Sequence, residues 1–242
     1  EEYMKNEGRL TKGKNLLLGI VFILLVASII FAVYMFFQAP EEATGIAGER
    51  MKSDYVLMIL QCTFGALVIF LPQRVENHFE IDIPNIIEII YIIFLFLAIY
   101  LGEVRNFYFL FPNWDAVLHF FSAGMLGAVG FMLVNFMTGV EKLNLRLSPG
   151  FVSFFAFCFA LTSGVVWEIY EFMADGILGT NMQKFITFEG ELLIGREAVR
   201  DTMEDLILDA LGSLVIVTIG YFYLRRKRVV ELEKNPELEL SE

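Results

Sequence analysis

Charged residues are scarce in this chain, and positive residues are scarcer than negative ones. Only 19% of the 242 residues are charged, and 18 Lys and Arg stand against 29 Asp and Glu, which gives a net charge of −11. Proteins that bind nucleic acid need a net positive face to neutralise phosphate. The charge balance therefore excludes nucleic-acid binding.

Cysteine is nearly absent as well. Cys62 and Cys158 are the two cysteines, and both lie inside apolar runs. Bridging them would close no useful loop, so we expect both to be small buried hydrophobic residues. Neither indicates the redox compartment of the protein.

Apolar residues dominate the composition. They form 57% of the chain, and the mean hydropathy is +0.62. Six apolar runs are each long enough to span a bilayer as a helix, which takes about 20 residues. The sequence predicts an all-α integral membrane protein with six transmembrane helices in a single domain over residues 1–228, and an acidic, disordered tail over 229–242. The runs lie at about residues 15–38, 55–71, 84–102, 114–137, 151–175 and 201–224.

The distribution of basic residues predicts the orientation. With six spans, both termini lie on one side of the membrane. The two terminal segments and the loops on their side carry 12 Lys and Arg, and the opposite loops carry 6. Because Lys and Arg are retained in cytoplasmic loops, we expect both termini to be cytoplasmic.

Ionisable residues inside the apolar runs are concentrated in the last three spans, at residues 112–224. Spacings of three or four residues place them on one stripe of each helix. A carboxylate that faces lipid costs several kcal/mol, so the three stripes are expected to face one another near the outer leaflet. The stripes are Asp115, His119 and Ser122; Glu168, Glu171 and Asp175; and Asp201, Asp205 and Asp209, with Glu204 beside the last.

Such a crowded acidic cluster requires positive charge, because like charges raise one another's pKa and favour protonation. A divalent cation, bound protons, or Arg105, Arg196 and Arg200 could supply it. Oxygen ligands with one imidazole suit Mg²⁺, Mn²⁺, Ca²⁺ or Zn²⁺, and composition does not choose among them. We predict a divalent-metal site formed by Asp115, His119, Glu168, Glu171, Asp201, Asp205 and Asp209.

Three segments carry a family resemblance. They are PNWDAVLHFFSAG from Pro112, WEIYEF from Trp167 and DTMEDLILDALG from Asp201, and they resemble the bacterial YjdF-like family of inner-membrane proteins. The resemblance implies a multi-pass protein of the bacterial cytoplasmic membrane and singles out the predicted site residues, but it implies no reaction. A looser similarity to VanZ-like proteins, through Asp115, His119 and Phe120, implies a role in the cell envelope.

Three functions fit these patterns. A metal-dependent hydrolase or transferase would act on a lipid-linked or envelope substrate at the outer leaflet, with Glu171 as general base and His119 in the catalytic site. A proton- or cation-coupled transporter would use the same acids as a relay. A structural or accessory protein would use them in ion pairs with arginines. Membrane lipids are the expected surroundings, the loop over 176–200 could cover the site, and the oligomeric state stays open.

Overall fold

The computed structural model describes residues 2–41, 49–139, 147–187 and 190–234. Within these ranges the chain contains helices and no strand; a single isolated antiparallel bridge joins Ile186 and Leu192. The α-helices are α1 (Glu2–Phe36), α2 (Lys52–Val68), α3 (Leu71–Phe79), α4 (Asn85–Leu95), α5 (Phe107–Leu110), α6 (Trp114–Gly139), α7 (Pro149–Leu178) and α8 (Arg200–Lys234). A π-helix covers Phe96–Val104, and a short 3₁₀ helix covers Glu197–Val199.

Six helical segments of the described chain are long and apolar enough to cross a membrane. This confirms the predicted all-α fold class and its six spans. The segments are Arg9–Phe36, Lys52–Phe79, Asn85–Val104, Trp114–Met137, Pro149–Leu178 and Glu197–Val230.

The second and third spans contain breaks in regular α-helix. In the second, α2 ends at Val68 and α3 begins at Leu71, with Pro72 in its first turn, where the missing N–H costs no helical hydrogen bond. In the third, α4 passes directly into the π-helix, and the Arg105 N–H donates to Tyr100 O at 2.9 Å, five residues back. Both spans therefore continue further than their apolar runs indicate.

The ends of the last helix also differ from the apolar run. α8 continues to Lys234, so the predicted tail over 229–242 begins within a helix. Residues 235–242 lie outside the described residues. The disordered tail and the single domain over 1–228 stay predictions.

The chain forms two compact units. The first comprises Glu1–Leu118 and Met173–Ala198, and the second comprises His119–Phe172 and Val199–Glu242. In the first unit, Leu25 of α1, Met58 of α2 and Ile92 of α4 belong to one buried apolar cluster. Cys62 is buried in this cluster as a free thiol, as predicted, and Cys158 is a half-buried free thiol.

Small residues bring the helices of the second unit close together. A Cβ added at Gly130 of α6 would lie 2.7 Å from Ala156 Cα of α7, and one added at Gly212 of α8 would lie 2.1 Å from Phe120 O of α6. Both separations are too short for a side chain, so only glycine permits these backbone approaches. A Cβ added at Gly124 would lie 3.3 Å from Ile216 Cγ1, which is tight, and one added at Gly127 would lie 3.7 Å from Ile216 Cγ2, an ordinary packing distance.

Candidate functional site

The centre of the candidate site is His119, whose imidazole lies between two carboxylates of α8. Nδ1 is 3.3 Å from Asp209 Oδ1, and Nε2 is 3.9 Å from Asp205 Oδ2. Asp205 and Asp209 are one helical turn apart, so their side chains share a face of α8. The relative exposures of His119, Asp205 and Asp209 are 7%, 3% and 2%. The stripes predicted on α6 and α8 do meet at these three residues.

The helix α7 of the same unit contributes space for a carboxylate as well as acidic side chains. A Cβ added at Gly164 of α7 would lie 2.0 Å from Asp209 Oδ2. The missing side chain therefore makes room for this carboxylate. Oδ2 of Asp209 is buried and accepts no hydrogen bond from a described residue. The role of Gly164 could not be predicted from the sequence, because a single glycine in an apolar helix carries no signal of what faces it.

Two further predicted residues follow Gly164 on α7. Glu168 is buried one turn after Gly164, and Glu171 is buried near the end of the same face. Glu171 Oε1 accepts a hydrogen bond of 2.8 Å from Trp167 Nε1, four residues earlier. This bond orients the predicted general base, and its catalytic role stays a prediction.

The buried charged side chains of the second unit are mostly negative. Its described residues bury four carboxylates, those of Glu168, Glu171, Asp205 and Asp209, but His119 is the one basic side chain buried with them. A protonated imidazole would neutralise one of four negative charges. Ionised carboxylates without counter-charge are costly in a low-dielectric interior, so this arrangement favours bound protons or a bound cation.

Asp115 and Asp201 occupy less buried positions. Asp115 lies in the first turn of α6, four residues before His119, and belongs to the first unit, where its Oδ2 accepts a 2.5 Å hydrogen bond from Lys184 Nζ. Asp201 is half-buried in the first turn of α8. The pairing of Lys184 with Asp115 could not be predicted from the sequence, because the two residues are 69 positions apart and no helical spacing connects them.

Asp175 has a structural role. Its Oδ1 accepts hydrogen bonds from Thr180 Oγ1 at 2.6 Å and Met182 N at 2.8 Å, and its Oδ2 accepts one from Gln183 N at 3.0 Å. These bonds anchor the turn that follows α7. Although it continues the stripe of Glu168 and Glu171, Asp175 therefore holds the loop.

The ion pair that Arg200 forms with a carboxylate of its own helix is an exposed one. Arg200 pairs with Glu204 at 2.6 Å, and both side chains are more than half exposed. Neither Arg105 nor Arg196 forms an ion pair with a carboxylate in the part of the chain that the structure describes. Ser122, on the His119 stripe, donates its hydroxyl to His119 O at 2.9 Å.

The first unit contains a buried ion pair of its own. Lys14 Nζ of α1 donates to Glu88 Oε1 of α4, and both residues are buried. Glu88 lies in the first turn of α4, where a negative charge also favours the positive end of the helix dipole. The partner lies 74 residues away and is visible only once α1 and α4 pack together.

Comparison with known proteins places the chain in a family. Residues 14–226 match the family described as "Predicted membrane protein (DUF2238)". The chain belongs to this family. It is also similar to a protein of Thermotoga maritima that bears the name "Uncharacterized protein", with 31% identity over 156 residues, covering 63% of this chain and 70% of the relative. No solved structure matches.

These matches establish a multi-pass membrane protein. The YjdF-like resemblance is consistent with membership of DUF2238 and stays a prediction at that finer level. The similarity to VanZ-like proteins gains no support from either match.

Proposed function

We propose that this protein binds a divalent cation at His119 and Asp205, with Asp209 holding the His119 ring, and uses the cation to act on a lipid-linked or envelope substrate in the bacterial cytoplasmic membrane. The observation that supports the cation is the position of the His119 ring between two buried carboxylates. Atoms bound to one metal ion at about 2.1 Å lie up to about 4.2 Å apart. The 3.9 Å between His119 Nε2 and Asp205 Oδ2 lies within that limit.

In this proposal Asp209 is a positioning residue. Its carboxylate accepts the Nδ1 proton of His119, which leaves the Nε2 lone pair directed to the side of Asp205. Metal-binding histidines commonly have such an outer carboxylate, which fixes the tautomer and raises the basicity of the ligating nitrogen. His119 Nε2 and Asp205 then offer ligand atoms of suitable kind. Glu168 and Asp201 are the proposed additional ligands from the same unit, and Asp115 stays a predicted ligand.

A divalent cation at such a site polarises a phosphoryl or carbonyl group and lowers the pKa of bound water. Glu171, oriented by Trp167, is the proposed general base, because a carboxylate beside a polarised group can accept a proton from an attacking water. The apolar surroundings would exclude bulk water, and an outward-facing site would suit a substrate held by a lipid tail. Enzymatic activity, substrate and orientation belong to the proposal.

A transporter is the second candidate, and one observation favours it. Among the described residues of the second unit, four buried carboxylates outnumber the one buried basic side chain, so the same site could hold protons in place of a metal ion. The two functions differ in their dependence on metal. An enzyme of the proposed kind loses activity with chelator, whereas a proton relay does not.

The cation is tested by measuring binding of Mn²⁺ and Zn²⁺ to the purified full chain, together with elemental analysis and thermal unfolding. We expect one bound cation per chain and a saturable rise in melting temperature. Asp205→Asn, His119→Gln and Glu168→Gln should fold and bind more weakly, and Asp209→Asn should lose about 10- to 100-fold in affinity, typical for an outer carboxylate.

The matched control is Glu204→Gln, which removes a carboxylate from the same helix at an exposed position already paired with Arg200. It should bind cation like the parent. Absence of cation from the parent protein, with a melting temperature insensitive to chelator, would falsify the metal site and leave the proton-relay and structural alternatives.

A further inference from the structure

An open cavity lies beside the start of the first membrane-crossing segment, far along the chain from the acidic site. It has a volume of about 460 Å³ and is lined by Arg9, Leu10 and Gly13 of α1 and by Ile89 of α4. The lining is therefore mainly apolar, with one guanidinium. All four residues belong to the first unit.

Gly13 keeps this cavity open. A Cβ added there would meet no atom within 4 Å, so the glycine is not required for close packing with another helix. Glycine costs about 1 kcal/mol relative to alanine in a helix interior. At this position its effect is to leave the space between Arg9 and Ile89 free.

Arg9 supplies a positive charge in the lining of the cavity, and Lys12 lies three residues further along α1, outside the lining. Arg9 and Lys12 are exposed and form no ion pair with any described residue. Lys14, in the next turn, is buried, and its charge is balanced by Glu88. The remaining charges, on Arg9 and Lys12, face the surroundings at the point where the apolar segment Arg9–Phe36 begins.

We propose that this cavity binds one anionic phospholipid, with the phosphate at Arg9 and Lys12 and the upper part of an acyl chain against Leu10, Gly13 and Ile89. A lipid of this kind joins a negative phosphate to a hydrocarbon chain, which is the combination that the cavity offers. Basic side chains at the end of a span attract anionic headgroups, at about 1 kcal/mol each. A free phosphate would use only the charged part of the cavity.

The test measures lipid selectivity of the full chain reconstituted in phosphatidylcholine vesicles. Spin-labelled phosphatidylglycerol and spin-labelled phosphatidylcholine report how strongly each lipid is held at the protein surface. We expect the parent to prefer phosphatidylglycerol, and Arg9→Gln to lower that preference about fivefold, the equivalent of one basic residue. Arg226→Gln removes an exposed arginine of α8 and should leave more of the preference intact.

Gly13→Leu tests the cavity separately from the charge. Leucine has the higher helix propensity and finds open space here, so the variant should fold. It should reduce the preference for phosphatidylglycerol although Arg9 and Lys12 remain. Gly19→Leu is the matched control, because Gly19 also lies on α1 with open space around its Cβ but outside the cavity lining.

Three results would overturn the proposal. The first is Arg9→Gln and Gly13→Leu having the same selectivity as their controls. The second is glycerol phosphate in solution competing as well as the whole lipid, which would indicate a site for free phosphate. The third is Gly13→Leu changing the oligomeric state while selectivity stays constant, which would indicate that a second copy occupies the cavity.

Discussion

At the scale of single residues, the position of Asp209 depends on two neighbours. One is the His119 imidazole beside one carboxylate oxygen, and the other is Gly164, which has no side chain beside the second oxygen. Asp209 Oδ1 is 3.3 Å from His119 Nδ1, and Oδ2 points to the place where Gly164 has no side chain. A hydrogen bond to one oxygen and an empty position beside the other together fix the carboxylate. The geometry of His119 therefore depends on Gly164 of α7, which acts through Asp209.

Gly164→Ala tests this dependence. The new Cβ would lie 2.0 Å from Asp209 Oδ2, and we expect the carboxylate to rotate away, because the end of a side chain moves at lower cost than a helix backbone. His119 then loses its acceptor, so affinity for Mn²⁺ or Zn²⁺ should fall about 10- to 100-fold. Isothermal titration of the purified variant measures this.

Gly176→Ala is the control, because Gly176 is also on α7 and an added Cβ there meets nothing within 4 Å. It should bind cation like the parent. Equal affinities for the two alanine variants would contradict the proposed role of Gly164.

At the scale of elements, a single carboxylate connects α7 to the loop after it. Asp175 accepts three hydrogen bonds, two of them from the backbone N–H groups of Met182 and Gln183. Paired backbone donors are shielded from solvent exchange, and each lost hydrogen bond of this kind costs about 1 kcal/mol or more. The loop therefore has a defined conformation at its start.

Asp175→Ala should release this turn. We expect the amide hydrogens of Met182 and Gln183 to exchange at least about tenfold faster, which corresponds to about 1.4 kcal/mol, while cation affinity stays unchanged. Hydrogen–deuterium exchange followed by mass spectrometry gives the rates. Glu191→Ala removes an exposed carboxylate of the same loop and should leave them unaltered. If Asp175→Ala abolishes cation binding in a folded protein, Asp175 belongs to the site after all.

Some features of these elements could be predicted from the sequence, and others could not. The spans and their polar stripes follow from local composition and helical periodicity, and these predicted the meeting of His119 with Asp205 and Asp209. The different roles of Asp175 and Glu171 could not be predicted from the sequence, because both residues lie on one stripe of α7 and only the loop conformation distinguishes them. The pairing of Lys184 with Asp115 and of Lys14 with Glu88 could not be predicted either, since each pair joins residues about 70 positions apart. The π-helix after α4 leaves the apolar run unchanged, so hydropathy cannot detect it.

At the scale of the whole molecule, orientation rests on the basic residues, which number 12 on one side of the predicted topology and 6 on the other. Single cysteines introduced into a chain lacking Cys62 and Cys158 test it. We expect a membrane-impermeant thiol reagent applied outside the cell to modify cysteines at Ala47 and Thr187, but not at Asn144 or Asn235. Ala47, Asn144 and Asn235 lie outside the described residues.

Labelling in intact and permeabilised cells provides the internal control, because every position that is exposed to solvent should react once the membrane is opened. The reverse pattern in intact cells would place both termini outside. His119 and its carboxylates would then belong to the cytoplasmic half of the membrane, and a substrate reaching them from the envelope side would no longer be expected.

The contact between Gly164 and Asp209 also has a consequence for the history of the family. A side chain at 164 and the carboxylate of Asp209 in its present orientation exclude each other in space, so a change at position 164 disturbs the site as long as the aspartate is kept. Among relatives the two positions should vary together: lineages that retain aspartate at 209 should retain glycine at 164, and lineages that have replaced the aspartate by a smaller residue should tolerate alanine or serine. Substitution at 209 would therefore precede substitution at 164.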